Sequence, residues 1–207
     1  MLAEIALSVT SGATGAGLLY GLHARSLARR LHIDRLTGLA NRDALERAYT
    51  RHARRHPGHR VGLLVGDIDH FKTYNDTHGH FFGDSVLVCI ARALTTTARP
   101  GELPVRLHGD EFAVLLTGLR PWERPEDRLR EYTTAIEAIE TVNGLPTRVS
   151  LSLGAAADTA SSVDLSTLMG RADRFMYGRK HSAPDRDPLT VHHITTAAPD
   201  RGETTRQ

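Results

Sequence analysis

The residues with the clearest capacity for chemistry are carboxylates that closely follow short apolar runs. Asp67 and Asp69 come directly after the apolar residues 61–65, and Asp110 and Glu111 come shortly after a second run. A short apolar run is typical of a β-strand buried on both faces, so each acidic group stands where a strand is predicted to end. Carboxylates that converge from neighbouring strand ends repel one another unless a cation neutralises them.

The second acidic pair lies in a tight connection between two predicted strands. Gly109 comes shortly after the strand-like residues 105–107, and residues 112–116 form an apolar run. A short polar break with glycine between two such runs predicts a β-hairpin. Carboxylate oxygens favour Mg²⁺, with Mn²⁺ as the alternative, and Mg²⁺ keeps open positions for phosphate oxygens. The pattern predicts a metal-dependent phosphoryl or nucleotidyl transferase, and the alternative is two solvated acidic turns.

Strand and helix signals alternate along the chain that must hold these groups. Asn41 is placed to cap a helix that ends near the breaker at residues 56–58. The other predicted elements are a strand at each apolar run named above, helices over residues 86–94, 129–139 and 164–177, a half-exposed strand over residues 148–153 and a short strand over residues 189–194. This order predicts an α+β fold with a mostly antiparallel sheet and helices on its faces.

Short motifs follow one another in a distinctive order over residues 31–194. They are Asp34-Arg35-Leu36-Thr37-Gly38-Leu39-Ala40-Asn41-Arg42, Asp67-Ile68-Asp69-His70-Phe71-Lys72, Asn75-Asp76, Gly79-His80, Gly83-Asp84, Arg106, Gly109-Asp110-Glu111-Phe112, residues 150–154, and Ala172-Asp173 with Tyr177 and Lys180. The order resembles that of the GGDEF domain, the diguanylate cyclase family. The resemblance implies a palm-like nucleotidyl-cyclase fold with a five-stranded sheet. It also implies condensation of two GTP into cyclic di-GMP and two pyrophosphates, with one GTP held by each half of a homodimer.

The resemblance assigns roles to the matching positions of this chain. The metal ligands would be Asp67, the Ile68 carbonyl, Asp110 and Glu111; the catalytic residues Asp110, Glu111 and Arg106; the guanine contacts Asn75 and Asp84; and the phosphate contacts the amides around His70, Phe71 and Lys72 with the charges of Lys72 and Lys180. Asp110 would also assist loss of the proton from the attacking 3′-hydroxyl, and Arg106 would steady the reacting phosphates. Lys72 and Lys180 are the only lysines in the chain, which supports their assignment.

Three positions depart from the family pattern. His108 stands where the signature usually has its first glycine, and its imidazole either crowds the nucleotide, points outward or adds a donor to phosphate. Pro184 stands where the family has a phosphate-contacting arginine, so weaker triphosphate binding is expected. Arg99 and Glu102 match the family's product-inhibition site except that glutamate replaces aspartate. The alternative for this pair is an ordinary loop ion pair.

The N-terminal region differs from the rest of the chain. Residues 5–22 carry no formal charge and are followed by Arg25, Arg29 and Arg30. About 20 helical residues span a bilayer core of about 30 Å, and basic residues after such a segment favour the cytoplasmic side. We therefore predict an apolar membrane-anchor helix over residues 1–24, a basic linker over residues 25–33 and a domain in the cytoplasm. The alternative is a soluble leader helix on a cytoplasmic protein.

Composition excludes several other classes of protein. The 207 residues carry a net charge of +2, which argues against a nucleic-acid binder, since these proteins have a strong basic excess. The single cysteine, Cys89, excludes a disulfide framework and a four-cysteine zinc site. The absence of a G-x-x-x-x-G-K-[ST] sequence excludes a P-loop NTPase. The domain is expected over residues 34–194 and a disordered tail over residues 195–207.

Two alternative functions remain open from the sequence. A catalytically silent GTP-binding or scaffold module is favoured by His108 and by the missing arginine at Pro184. Another nucleotide cyclase or dinucleotide synthase on the same fold is the third candidate, and Asp84 at the guanine-reading position argues for guanine over adenine.

Overall fold

The computed structural model describes residues 32–180, with side chains described through residue 178. Its elements, in chain order, are α1 (Arg42–Arg55), β1 (Arg60–Ile68), α2 (Phe71–His78), α3 (His80–Thr97), β2 (Glu102–His108), β3 (Glu111–Leu116), α4 (Pro125–Glu137), β4 (Thr141–Val142), β5 (Leu145–Pro146), β6 (Leu151–Thr159) and α5 (Leu165–Lys180). The predicted anchor over residues 1–24 and the tail over residues 195–207 lie outside this range. Within it, no helix combines the length and the apolar character that crossing a membrane requires.

The main sheet has four strands in the order β2-β3-β1-β6, and every neighbouring pair is antiparallel. Strands β4 and β5 form a separate two-stranded hairpin. The predicted antiparallel α+β architecture is therefore confirmed. The predicted number of five strands in the sheet is wrong for residues 32–180, where the main sheet has four. The strand predicted over residues 189–194 lies outside the described residues, so the four strands are those formed up to residue 159.

Two apolar cores cover the two faces of the sheet. Along β1, Leu63 and Val65 belong to the core shared with α1 and α5, whereas Leu64 and Ile68 belong to the core shared with α3 and α4. Successive side chains of a strand point to opposite faces, so a continuous apolar run fits a strand that is buried on both. The prediction made from residues 61–65 is confirmed, and the three-layer packing fixes the end of β1 where the acidic residues begin.

Local signals placed α1 correctly. The Asn41 side chain accepts a hydrogen bond from the Ala44 N–H at 3.1 Å, and the helix ends at Arg55 before the His56 C-cap. An N-cap side chain satisfies one of the N–H groups that the first helical turn leaves without a partner. The predicted cap and both ends of α1 are confirmed.

The last strand of the sheet begins later than predicted. The Tyr74 hydroxyl donates to the Arg148 carbonyl at 2.6 Å, and the Asp69 N–H donates to the Ser150 carbonyl at 3.1 Å. These contacts tie residues 148–150 to the β1–α2 connection, so β6 begins only at Leu151. The alternation expected over residues 148–153 is confirmed, because Val149, Leu151 and Leu153 are buried and the residues between them are exposed or half-buried.

Candidate active site

Three acidic residues lie at one end of the sheet. Asp67 in β1 is the register partner of Glu111 in β3 and of Ser152 in β6. The Ile68 N–H donates to the Asp110 carbonyl at 3.3 Å, which ties the end of β1 to the neighbouring turn. Directly opposed residues of an antiparallel pair have Cβ atoms about 4.5–5.5 Å apart. The structure thus brings together Asp67, Asp110 and Glu111 as the sequence predicted.

The turn that carries Asp110 is a two-residue hairpin connection. Gly109 has a φ of +48°, which lies in the left-handed region that glycine enters without strain. The Arg106 guanidinium donates from Nε and Nη2 to the Gly109 carbonyl, at 2.9 and 2.7 Å. Arg106 therefore holds the turn through its backbone, and we describe it as a positioning residue for Asp110.

Asp34 completes this arrangement from the start of the domain. Its Oδ1 accepts from Arg106 Nη1 at 3.1 Å and from both the N–H and the hydroxyl of Thr37, at 2.8 and 2.6 Å. Burial alone would raise the pKa of the Asp34 carboxyl, but these hydrogen bonds outweigh it and hold that pKa below its ordinary value. Sequence reasoning gave Asp34 no role. The Asp-x-x-Thr spacing signals the local turn, but not the contact with Arg106.

His108 neither follows a glycine-like backbone path nor lies buried. The positive φ angles of non-glycine residues in the described chain belong to His70 and Asn143, so position 108 does not need glycine for its conformation. The exposed His108 imidazole places Nε2 3.2 Å from Glu111 Oε2. The departure from the family signature thus acts on a carboxylate of the site.

The N-terminus of α2 lies directly after Asp69. His70 adopts a left-handed conformation with a φ of 57° and makes no side-chain cap, so the chain turns sharply into the helix. The first N–H groups of a helix have no acceptor within it and form a positive end suited to phosphate. The amides of Phe71 and Lys72 stand at this end, and the Lys72 side chain is exposed beside them. Lys180 ends α5, and its side chain and Pro184 lie outside the described part of the chain.

Tyr74 anchors α2 against the sheet. It is fully buried, and its hydroxyl donates to the Arg148 carbonyl at 2.6 Å. Burial, followed by the nearby Asp69 carboxylate, raises the pKa of Tyr74 to about 12, so the hydroxyl stays protonated as a donor. Asp69 itself accepts from the Ser152 hydroxyl at 2.5 Å. We therefore assign Asp69 and Tyr74 to holding the helix that carries the phosphate amides and Asn75.

Asn75 and Asp84 lie where α2 and α3 meet. Asp84 is exposed on α3, one residue after the buried Gly83. A Cβ added at Gly83 would stand 2.1 Å from Asn75 Oδ1 and 3.3 Å from the Phe71 ring. The glycine therefore makes room for the Asn75 amide beside the Asp84 carboxylate. Sequence reasoning recorded Gly83 only as part of a motif and missed this close approach.

A match to a known protein family covers most of the chain. The model of the family described as "Diguanylate cyclase, GGDEF domain" matches residues 31–186. The chain belongs to the GGDEF domain family. This confirms the resemblance drawn from the motifs, and it places the chain in a family of cyclic di-GMP cyclases whose substrate is GTP.

Individual relatives agree with the family match. The chain is 38% identical over 169 residues to the diguanylate cyclase DgcP of Pseudomonas aeruginosa. The alignment covers 79% of this chain and 25% of DgcP. It is 34% identical over 165 residues to an uncharacterized 19.3 kDa protein of Streptomyces ambofaciens, covering 78% of this chain and 86% of that protein. The alignments with YhcK of Bacillus subtilis and DgcT of Escherichia coli span 51% and 36% of those proteins, so this chain corresponds to only part of several relatives.

Solved structures show the same fold. The coiled coil and GGDEF domain of DgcB from Caulobacter crescentus, in complex with c-di-GMP, matches with a TM-score of 0.69 at 27% identity, covering 84% of this chain and 94% of that one. The GGDEF domain of TpbB (YfiN) from Pseudomonas aeruginosa matches with a TM-score of 0.59 at 35% identity, covering 71% of this chain and 93% of that one. The element order described above is therefore the GGDEF fold.

The donor set of this GGDEF domain suits a hard divalent cation, the kind of metal that diguanylate cyclases of the family use. Asp67 and Glu111 offer carboxylate oxygens, and Ile68 offers a backbone carbonyl at the same strand end. As the side chains stand between residues 32 and 180, no three His, Cys, Asp or Glu residues are arranged to hold a metal. One oxygen of Glu111, a member of the expected ligand set, lies 3.2 Å from His108 Nε2.

At the positions of the family's product-inhibition site, both side chains have partners within the domain. The Arg99 guanidinium lies 2.9 Å from a Glu123 carboxylate oxygen and 2.6 Å from one of Glu131. The Arg99 N–H donates to Glu102 Oε2 at 2.8 Å. Product inhibition through this pair stays a prediction, and a product bound there would have to displace these contacts.

Glu102 is an enclosed acidic group at the start of β2. Its side chain is 6% exposed, and its two carboxylate oxygens accept from Arg128 at 2.6 and 2.7 Å and from the Tyr132 hydroxyl at 2.8 Å. Burial alone would raise the pKa of Glu102, but Arg128, the Arg99 N–H and Tyr132 outweigh it and lower that pKa. The network joins the start of β2 to α4.

Proposed function

We propose that this chain is a diguanylate cyclase, which joins two GTP molecules into cyclic di-GMP and releases two pyrophosphates. The proposal is carried by the placement of Asp67 opposite Glu111, with Asp110 in the adjoining turn, in a chain of the GGDEF family. We further propose Mg²⁺ as the metal, held by Asp67, Asp110, Glu111 and the Ile68 carbonyl. The metal would supply positive charge to the triphosphate of the reacting nucleotide.

In this proposal, residues of the protein bind and orient the nucleotides and remove the proton from the attacking hydroxyl group. The amides at the start of α2, from Phe71 and Lys72, bind phosphate oxygens, and Asn75 with Asp84 binds the guanine edge. Asp110 accepts the proton from the 3′-hydroxyl of one GTP, and the 3′-oxygen attacks the α-phosphorus of the second GTP. The new bond forms from that oxygen to phosphorus, and the bond to the pyrophosphate leaving group breaks.

A homodimer is part of the proposal because one site binds one GTP while the product contains two. The residues of one chain supply a single set of guanine and carboxylate groups. Two chains facing each other supply two nucleotides, and the reaction then occurs twice across the interface. We also propose that residues 5–22 anchor the chain in a membrane with the domain in the cytoplasm, which would raise the local concentration of the two halves.

The function is tested by incubating the purified protein with GTP and Mg²⁺ and measuring cyclic di-GMP by chromatography and mass spectrometry. We expect product, and we expect its rate per chain to rise with protein concentration because two chains are needed. If GTP binds tightly but no product forms at high protein concentration, the chain is the silent GTP-binding module instead. The membrane anchor is tested by cell fractionation. We expect the full chain to sediment with membranes and a variant lacking residues 1–24 to stay in the soluble fraction. Full-length protein in the soluble fraction would contradict the anchor.

The silent module is favoured by one observation, the contact between His108 Nε2 and Glu111 Oε2. We expect that His108→Gly preserves or raises activity, most clearly at low Mg²⁺, because it releases a Glu111 oxygen for the metal. The measurement is the Mg²⁺ concentration that gives half-maximal cyclic di-GMP synthesis, and His108→Gln serves as a variant of similar size without an imidazole ring. A large loss of activity in His108→Gly would show that the imidazole contributes to the reaction.

A substitution at Gly83 tests the guanine contact. We expect Gly83→Ala to raise the KM for GTP about tenfold, because the new methyl group displaces the Asn75 amide and removes a hydrogen bond to the base. The KM and kcat are measured by pyrophosphate release. Gly170→Ala is the matched control, since the nearest atom to its added Cβ is Arg174 Nη1 at 3.9 Å. An unchanged KM in Gly83→Ala would show that Asn75 does not contact the base.

A further inference from the structure

The loop between β3 and α4 presents the only tryptophan of the chain to solvent. Trp122 is 76% exposed. Strand β3 begins with Glu111 beside the catalytic turn and ends at Leu116, so the loop that follows lies at the opposite end of the sheet. At about 3.4 Å per residue, the strand separates this loop from the carboxylates by roughly 20 Å. Trp122 therefore has no part in the active site, and we call residues 120–124 the Trp122 turn.

Hydrogen bonds to the rest of the domain fix the shape of the Trp122 turn. The Glu123 N–H donates to the Arg120 carbonyl at 3.0 Å, which closes a β-turn with Pro121 and Trp122 as its central residues. Proline fixes φ at the value that the first central position requires. Arg60 Nη1, at the start of β1, donates to the Glu123 carbonyl at 2.7 Å and to the Pro121 carbonyl at 3.1 Å. The indole is thus presented on a preorganised turn, which lowers the entropy cost of binding.

The side chains that flank the indole are cationic. Arg120 and Arg124 are exposed on either side of Trp122 in the chain. In the part of the chain that the structure describes, Arg120 forms no ion pair. Arg124 is 78% exposed, and its ion pair with Glu126 is long, at 3.7 Å. Such a surface pair contributes little, so both charges remain available to a partner.

The neighbouring acidic residues are engaged by other arginines. The Glu123 carboxylate is 17% exposed and lies 2.9 Å from the Arg99 guanidinium. Asp127, in the first turn of α4, pairs with Arg130 of the same helix. The Trp122 turn therefore combines one exposed indole with two exposed positive charges.

We propose that the Trp122 turn docks on an anionic membrane surface. An indole has an apolar body and a polar N–H, and such side chains favour the region between lipid headgroups and acyl chains. Each arginine close to a surface of acidic lipids strengthens binding about fivefold. A protein partner would need a larger apolar surface, and the exposed neighbours of Trp122 within the turn are Pro121 and the two arginines. The carboxylate end of the sheet then faces away from the membrane, where GTP can reach it.

The fluorescence of Trp122 tests this docking, since a single tryptophan reports on this turn alone. The full-length protein is reconstituted with vesicles that contain brominated phosphatidylcholine, a quencher in the acyl chains, and an increasing fraction of phosphatidylglycerol. We expect the emission to shift to shorter wavelengths and to be quenched as the phosphatidylglycerol fraction rises. Added salt should weaken both effects because it screens the attraction. The signal comes from residue 122 whether or not residues 5–22 insert, so the test is independent of the proposed anchor.

Two double variants with equal loss of charge test the role of the arginines. Arg120→Gln with Arg124→Gln is expected to lower the ratio of docked to undocked protein about 25-fold at a fixed lipid composition. Arg42→Gln with Arg174→Gln removes two exposed arginines from α1 and α5, and quenching should be unchanged. The proposal is overturned if phosphatidylglycerol vesicles leave Trp122 unquenched, if phosphatidylcholine alone gives equal quenching, or if the two double variants behave alike.

Discussion

Replacing Asp110 with alanine is expected to lower cyclic di-GMP synthesis about a thousandfold, or about 4 kcal/mol of transition-state stabilisation. The Asp110 carboxylate stands in a turn fixed by the Ile68 N–H and, through Gly109, by Arg106, so its position is defined before substrate binds. The loss combines a proton acceptor with part of the negative charge that holds the metal. The measurement is kcat for product formation at saturating GTP and Mg²⁺.

Two further variants separate these contributions for Asp110. Asp110→Asn keeps the shape of the side chain but not its charge, and we expect nearly the same loss. Asp43→Asn is the matched control, because Asp43 is an exposed carboxylate on α1 outside the site and its removal should leave kcat unchanged. Full turnover by Asp110→Ala would remove Asp110 from the metal and proton-transfer roles proposed for it.

Replacing Glu102 with alanine is expected to lower the free energy of unfolding by about 3–5 kcal/mol. The substitution removes the buried partner of the Arg128 guanidinium, which is 1% exposed, and leaves it with Glu131, which is 46% exposed, and the Thr97 carbonyl. It also removes the acceptor of the buried Tyr132 hydroxyl. Urea denaturation at pH 7 measures the change. Glu126→Ala is the control, because the Glu126–Arg124 ion pair is longer, at 3.7 Å, and lies at the surface.

The stability that Glu102 contributes depends on pH in a defined direction. Its pKa in the folded protein is lower than the ordinary value of 4.5, so the folded state favours the ionised form. The contribution is fully present above pH 4.5 and is lost as the pH falls through the folded-state pKa. We therefore expect the difference between the protein and Glu102→Gln to shrink below pH 4.5. A difference that stayed constant down to pH 3 would contradict the assignment of a buried ionised pair.

Local patterns in the sequence were sufficient for the elements that hold the carboxylates. The cap at Asn41, the doubly buried run that became β1 and the hairpin at Gly109 and Asp110 each depend on a few adjacent residues. The pairing of Asp67 with Glu111 followed because both are tied to strand ends that the family order brings together. Such features are encoded within about ten residues, so a single sequence reveals them.

The features that sequence reasoning missed connect distant parts of the chain. Glu102 pairs with Arg128 across 26 positions, and Asp34 pairs with Arg106 across 72. No periodicity reports such contacts, since they join β2 to α4 and the residues before α1 to β2 through side chains that are far apart in the sequence. The late start of β6 has the same origin, because Tyr74 holds the Arg148 carbonyl from another element.

The contact between Asp34 and Arg106 also connects the residues before α1 to the catalytic turn. Asp34 is among the first residues that the structure describes, and the Arg106 guanidinium joins it to the backbone of the catalytic turn. A displacement of Asp34 would therefore shift the Asp110 turn through a single side chain. The position of the Gly109–Asp110 turn is thus coupled to that of Asp34.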